Sequence, residues 1–179
     1  MSAGEGSSRE AVKRRLMFVA GEDFYFLGYT LLLLLSELNA TSAARALRDS
    51  RKLAYIADFI GSDADLQLAT TASRLSDRGR ARLCTLYDRA VARRLPLERL
   101  LEALARRQLV VLTRSPGDPD QVHAIEADHV KGLVTNGLYA KERERIQALR
   151  TSLPQLRTMT LSTVQQRLFA DKGVRTWGV

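Results

Sequence analysis

The sequence predicts a mainly α protein with one β-hairpin: a helical N-terminal part, a winged-helix-like central unit and a helical C-terminal extension. Three observations lead there. Apolar residues recur at helical spacing over most of the chain, the period changes to two around "SPGDPD", and helical spacing returns beyond it. The expected divisions are a flexible tail at 1–22, a helical and winged-helix-like domain at 23–136, and an extension with a docking tail at 137–179.

The start, "MSAGEGSSRE", is small and polar and has no apolar run of the kind a signal peptide carries. Next comes "DFYFLGYTLLLLLSEL", Asp23 to Leu38, predicted as a helix. Its uncharged run from Phe24 to Leu35 is only about 20 Å long at 1.5 Å per residue, short of the roughly 30 Å of a bilayer core. No membrane contact is expected. At 100° per residue Leu27, Leu31, Leu34, Leu35 and Leu38 share one side, while Phe26, Tyr29 and Leu33 lie on the side of Ser36 and Glu37. A helix apolar nearly all round is buried on more than one face. Either its own domain wraps it, or the Phe26/Tyr29/Leu33 face is kept for a partner.

A second helix is expected over about 51–60, capped by Asp49 or Ser50, with Leu53, Ile56, Ala57 and Ile60 inward and Gly61 at its end. The central unit then reads as three helices and a wing. The helices are about Asp63–Leu75, Asp77–Arg94 with Ser76 as cap, and Pro96–Gln108, where proline suits the first turn. Leu83, Leu86, Tyr87, Ala90 and Val91 form the apolar face of the second, and Leu97, Leu100, Leu101 and Leu104 that of the third. The wing is "LVVLTR", turn residues, then "QVHAIE", about Leu109–Glu126. After Asn136-Gly137 as a turn, "LYAKERERIQALRTSL" is a helix with a solvated, mixed-charge face. "LSTVQQRLFADKG" is a short helix capped by Ser162 with Gln165 and closed by Gly173. Trp177, beyond that glycine, is a candidate interface anchor, because tryptophan buries a large area and keeps one donor.

Charge points to an anionic partner. The chain carries a net +8, and between Arg74 and Arg114 eleven arginines face only Asp77, Asp88, Glu98 and Glu102, leaving +7 there. Arg78, Arg82, Arg89 and Arg93 fall within about 60° on one helix side, and Arg99, Arg106 and Arg107 follow on the next helix. These seven are the candidate DNA-binding residues. Such contacts would be sequence-independent and salt-sensitive.

Catalytic chemistry is not written in the chain, and neither an enzyme nor a cofactor is expected. No glycine-rich phosphate loop is present. His123 and His129 lack metal-ligand spacing, and Asp63 and Asp65 begin a calcium-loop pattern that meets Arg74 where glutamate is needed. The single cysteine, Cys84, is expected to be a small buried hydrophobe and fits a reducing, cytoplasmic setting.

The order of "FLGYTLLLLLSEL", "DSRKLAYIADFI", further helices and "LLEALARRQLVVLTR" resembles the middle components of bacterial three-component ABC systems, the small subunits found with SMC-like ATPases in Lamassu-type anti-phage defence. The resemblance spans about Phe24 to Ile125 and carries over no individual functional residue. It implies a non-enzymatic subunit at the ATPase head or neck that helps couple DNA sensing to an effector nuclease. The partners it implies are the SMC-like ABC ATPase, the nuclease and double-stranded DNA. Two other readings fit the same residues. A free-standing winged-helix transcription regulator would need self-dimerisation and an operator. An RNA- or ribosome-associated protein would need stacking aromatics, and only Tyr87 lies in the basic segment, on its apolar side.

Overall fold

The computed structural model describes residues 24–71, 75–135 and 137–177; the tail at 1–22, Arg74 and Asn136 of the expected turn fall outside them. Among the described residues the chain forms seven α-helices and one two-stranded antiparallel sheet. The helices are α1 Phe24–Glu37, α2 Lys52–Gly61, α3 Asp63–Thr70, α4 Asp77–Arg106, α5 Asp128–Val134, α6 Ala140–Ser152 and α7 Leu161–Leu168. The hairpin is β1 Val110–Ser115 and β2 Asp118–Ala124. This is the mainly α fold with one hairpin that the periodicity predicts.

Helix α1 is the centre of the core. Its leucines from Leu31 to Leu35 are all buried, because α2, α4, α5, α6 and β2 pack around it. Five neighbours explain an apolar helix with almost no polar side. No helix among the described residues is long and apolar enough to cross a membrane.

Helix α4 departs from expectation. It runs unbroken for 30 residues through Pro96, so the helix–turn–helix step expected between Arg94 and Pro96 is absent. Proline removes one backbone donor, a penalty of about 3 kcal/mol in a helix interior. Ala90, Leu97, Leu101 and Leu104 stay buried in one helical phase across it, and each leucine contributes about 1.5–3 kcal/mol on burial. Packing on both sides of the proline outweighs the local break. Val91, expected inward, is exposed, and α3 stops at Thr70 instead of reaching Leu75.

The hairpin is fixed in place rather than projecting as a wing. Its second strand pairs with β1 on one edge, and its other edge is bonded to the 40–50 connection: Leu47 and Val122 exchange backbone bonds of 2.8 and 3.1 Å, Ser50 N donates to Asp120 O (2.8 Å), and Ala124 N to Ala40 O (2.8 Å). The β1–β2 register shifts between Thr113 and Ser115. Arg114, at that shift, reaches Glu98 (3.1 Å) and Glu102 (2.8 Å) on α4 and Asp120 (3.0 Å) on β2. Its guanidinium holds the Glu102 carboxyl below the usual carboxylate range.

The charges of α6 are not simply a solvated face. Three of its arginines donate to carbonyls in the last turns of three different helices, groups that lack intrahelical partners. Arg150 reaches Glu37 O at the end of α1 (2.9 Å), Arg145 reaches Ile60 O near the end of α2 (3.1 Å), and Arg143 reaches Val134 O at the end of α5 (2.6 Å). A cation at a helix C-terminus also opposes the macrodipole, worth about 0.3–1 kcal/mol at an exposed end. Two expected caps are corrected. Thr160, not Ser162, caps α7 through its side chain, and the residue before α2, Arg51, has no side-chain cap; Asp49 Oδ1 accepts from Arg51 N at 3.3 Å, and the carboxylate also takes the Arg51 guanidinium in a two-pronged pair (both 2.8 Å). Ser76 caps α4 as expected, accepting from Gly79 N at 3.2 Å. Gly173 adopts the left-handed conformation that favours glycine, with φ of 84°.

Candidate docking surfaces

The seven candidate arginines of α4 and its end do not form one stripe of unpaired side chains. Three are held by acidic side chains of the chain itself. Arg82 grips Asp65 with two bonds, Nε to Oδ1 at 2.8 Å and Nη2 to Oδ2 at 2.7 Å. Asp58 on α2 takes Arg93 Nη2 at 2.8 Å and Arg89 Nη1 at 3.3 Å. Arg93 is buried, and its Nη1 also donates to Ala54 O (3.2 Å). The helical phase is as expected, but what lies across from that phase is α2 and α3 rather than solvent. Asp65 thereby belongs to Arg82, and Asp63 belongs to Arg145 (2.6 Å), so neither carboxylate begins a cation loop.

Arg78, Arg99, Arg106 and Arg107 are exposed and form no ion pair among the described residues. Arg78 stands at the other end of the helix, about 42 Å from Arg106 at 1.5 Å per residue. The free basic cluster is therefore Arg99, Arg106 and Arg107.

Beside it lies the most aromatic part of the surface. Phe24, Tyr25 and Tyr29 of α1, with Leu100, Leu104 and Arg107 along α4, line an open groove of about 330 Å³. Phe24 is 49 % exposed and Tyr25 80 %, large values for side chains of this size on a helix whose next turn is core. Sequence reasoning passed over both. Their signal was position: they precede Leu27, the first core residue, on a helix that has no charged turn at its start.

The expected partner face Phe26/Tyr29/Leu33 is divided by the structure. Leu33 is buried at 1 % exposure and is core, since five elements pack around α1 beyond its exposed first turn. Tyr29 is half-buried and stacks on Tyr139, with ring centroids 4.7 Å apart and planes at 19°. Only Phe26, at 39 %, remains substantially exposed.

Trp177 is 70 % exposed, yet its backbone is fixed. The Tyr87 hydroxyl accepts from Trp177 N (3.0 Å) and donates to Trp177 O (3.2 Å). Tyr87 is itself part of a buried aromatic cluster, edge-on to Phe169 at 5.2 Å and tilted on Tyr55 at 5.7 Å. A core tyrosine thus holds the tail while the indole faces outward. Holding an anchor before contact lowers the entropy lost on binding.

Cys84 is exposed, not buried as expected, because it lies on the side of α4 away from α2. Lys52 was missed altogether. It is fully buried, and its Nζ donates to Leu156 O (2.9 Å), Arg157 O (3.1 Å) and Met159 O (2.7 Å). An ammonium has three donors, and all three close the turns between α6 and α7. Nothing local in "SRKLAY" announces this, as the acceptors lie more than a hundred residues along the chain. His123 is half-buried, and burial lowers its imidazole; among the described residues no group of three or more His, Cys, Asp or Glu side chains could hold a metal ion.

No protein-family model matches the chain, and no curated protein or solved structure is significantly similar to it.

Proposed function

We propose that the protein is a non-catalytic accessory subunit that docks through the Phe24/Tyr25 groove and Trp177 onto an SMC-like ABC ATPase of a Lamassu-type anti-phage system. The sequence resemblance supplies the complex. One structural observation supports docking: aromatic side chains stand exposed beside Arg107 on a chain whose core is otherwise closed. Buried aromatics and arginines dominate protein interfaces, and one such anchor contributes about 2 kcal/mol or more. The fitting partner segment is apolar with a carboxylate placed for Arg107. The unbroken α4 weighs against the winged-helix regulator, which needs a separate recognition helix.

Tyr25→Glu and Trp177→Ala, made separately, are expected to lower co-purification with a co-expressed SMC-like ATPase of such a system by about thirtyfold each, the factor that 2 kcal/mol gives. Circular dichroism should stay unchanged, since both side chains face outward. Retention at wild-type yield by both variants would overturn the docking proposal.

DNA contact is proposed for the end of α4 alone. Replacing Arg106 and Arg107 by alanine should reduce the log–log salt slope of duplex binding by about 0.9 per lost phosphate contact. Arg82→Ala should leave that slope unchanged, because its guanidinium is held by Asp65. A slope that responds to Arg82 and ignores Arg106 and Arg107 would place the DNA elsewhere.

A further inference from the structure

Helix α4 keeps one long side uncovered. Ala81, Cys84, Asp88, Val91, Ala92, Leu95 and Arg99 recur there at three- and four-residue steps, all exposed, with Val91 at 42 % and Leu95 at 57 %. Small and apolar side chains on such a row suit close helix–helix packing. Only two charges interrupt it, and they are of opposite sign. Asp88 and Arg99 sit eleven positions apart, about three helical turns, and neither forms an ion pair among the described residues. Asp88 is one of four such aspartates, with Asp118, Asp128 and Asp171, whereas Asp49, Asp58, Asp63, Asp65, Asp77 and Asp120 are each paired with an arginine; of the four, Asp88 alone lies on this side of α4.

The spacing has a twofold symmetry. The midpoint between positions 88 and 99 is also the midpoint between 92 and 95. An identical helix laid antiparallel across that midpoint sets Asp88 against Arg99 of the second copy, and Arg99 against its Asp88. Between these pairs, Ala92 meets Leu95 and Leu95 meets Ala92, a small residue facing a large one each time. Position 84 then faces 103, a cysteine opposite an alanine. A parallel arrangement would instead set Asp88 on Asp88 and Arg99 on Arg99. From this complementarity we infer that the uncovered side of α4 binds a second copy of this chain, antiparallel, in an isologous dimer closed by two Asp88–Arg99 pairs. Ala103, which the dimer sets against Cys84, also lines the aromatic groove, so the dimer borders that docking element.

Sedimentation velocity on the full chain across micromolar concentrations tests this through charge reversal. The wild type should dimerise. Asp88→Arg and Arg99→Asp should each weaken self-association by about tenfold or more, since each sets like charges opposite one another. Mixed in equal amounts, the two variants should recover a dimer. The two substituted positions then face each other with opposite charges, and the native Arg99 of one variant faces the native Asp88 of the other. The double variant Asp88→Arg/Arg99→Asp should dimerise with itself. Both side chains are exposed, and circular dichroism checks that each variant folds. A wild type that stays monomeric would overturn the inference. So would single variants that associate like the wild type, or a loss that neither mixing nor the double exchange restores.

Discussion

Replacing Lys52 by methionine is expected to destabilise the protein by about 3 kcal/mol or more, seen as a lower urea midpoint with unchanged slope. Methionine fills nearly the same volume, so packing changes little. What is lost is the donor for the buried Leu156 O and Met159 O, which then face an apolar methyl, while Arg157 O keeps Arg48 N at 3.1 Å. A buried acceptor left without a donor costs about 1–3 kcal/mol. Relief from burying a charge offsets part of the total.

That burial also gives stability a distinctive pH dependence. Burial holds the Lys52 ammonium down at about 8 against an ordinary 10.5, with Asp49 opposing the fall and Arg48 and Arg157 adding to it. Below pH 8 both folded and unfolded chains keep the proton, and the penalty of the buried charge is fully present. As pH rises from 8 toward 10.5, the unfolded chain retains a proton that the folded chain has released, so stability increases. A fall of that size corresponds to about 3 kcal/mol, and the three carbonyls, which favour the ammonium, keep the observed gain below it. Above pH 10 Tyr55 acts the opposite way, because burial raises its phenol and the unfolded chain ionises first. Stability should therefore peak near pH 10. In Lys52→Met the rise should shrink to what Lys172, also lowered by burial, supplies. An equal rise in variant and wild type would exclude Lys52 as its source.

Asp58→Ala is expected to have a comparable effect, a loss of about 3–5 kcal/mol. It takes from the Arg93 guanidinium, with side-chain exposure of 4 %, the carboxylate that meets Nη2 at 2.8 Å. Arg89 loses the same partner but is 43 % exposed, and water replaces what it gives up. The converse experiment separates the pair's net worth from the penalty of breaking it. Arg93→Met combined with Asp58→Leu removes both charges, and such exchanges are often neutral or stabilising. Urea unfolding of the two single variants and the double variant should give a coupling energy well above the roughly 0.5 kcal/mol of independent sites. Additive losses would show that Asp58 and Arg93 do not act as a unit.

Both experiments concern cations that the sequence presents as surface charge. Eleven arginines in one segment imply an anionic partner by composition. Yet Arg82, Arg89 and Arg93 answer to Asp65 and Asp58, and Arg114 answers to Glu98, Glu102 and Asp120. A helical wheel places a side chain on a face but is silent about which element covers that face. Those four arginines are therefore indistinguishable, one by one, from the exposed Arg99, Arg106 and Arg107. The same limit applies to the apolar helix, where the wheel grouped Leu33 with Phe26 and Tyr29, and burial by five neighbouring elements separated them.

What short-range physics controls was legible in the chain. The period of the apolar residues placed α1, α2, α6 and α7, and placed α4 as two helices divided at Pro96. The switch to alternation around Pro116 and Pro119 placed the hairpin, and helix ends were marked by the Ser76 hydroxyl and by the left-handed backbone of Gly173. The unbroken apolar phase from Ala90 to Leu104 also carried the continuity of α4, which the local rule for Pro96 obscured. Which polar groups meet was settled only by the packed fold. Lys52 finds its acceptors beyond Leu153, Trp177 is held by Tyr87, and α6 caps three helices with Arg143, Arg145 and Arg150. Those contacts join residues up to more than a hundred positions apart, and their energy comes from desolvation and donor geometry that exist only once the core has closed.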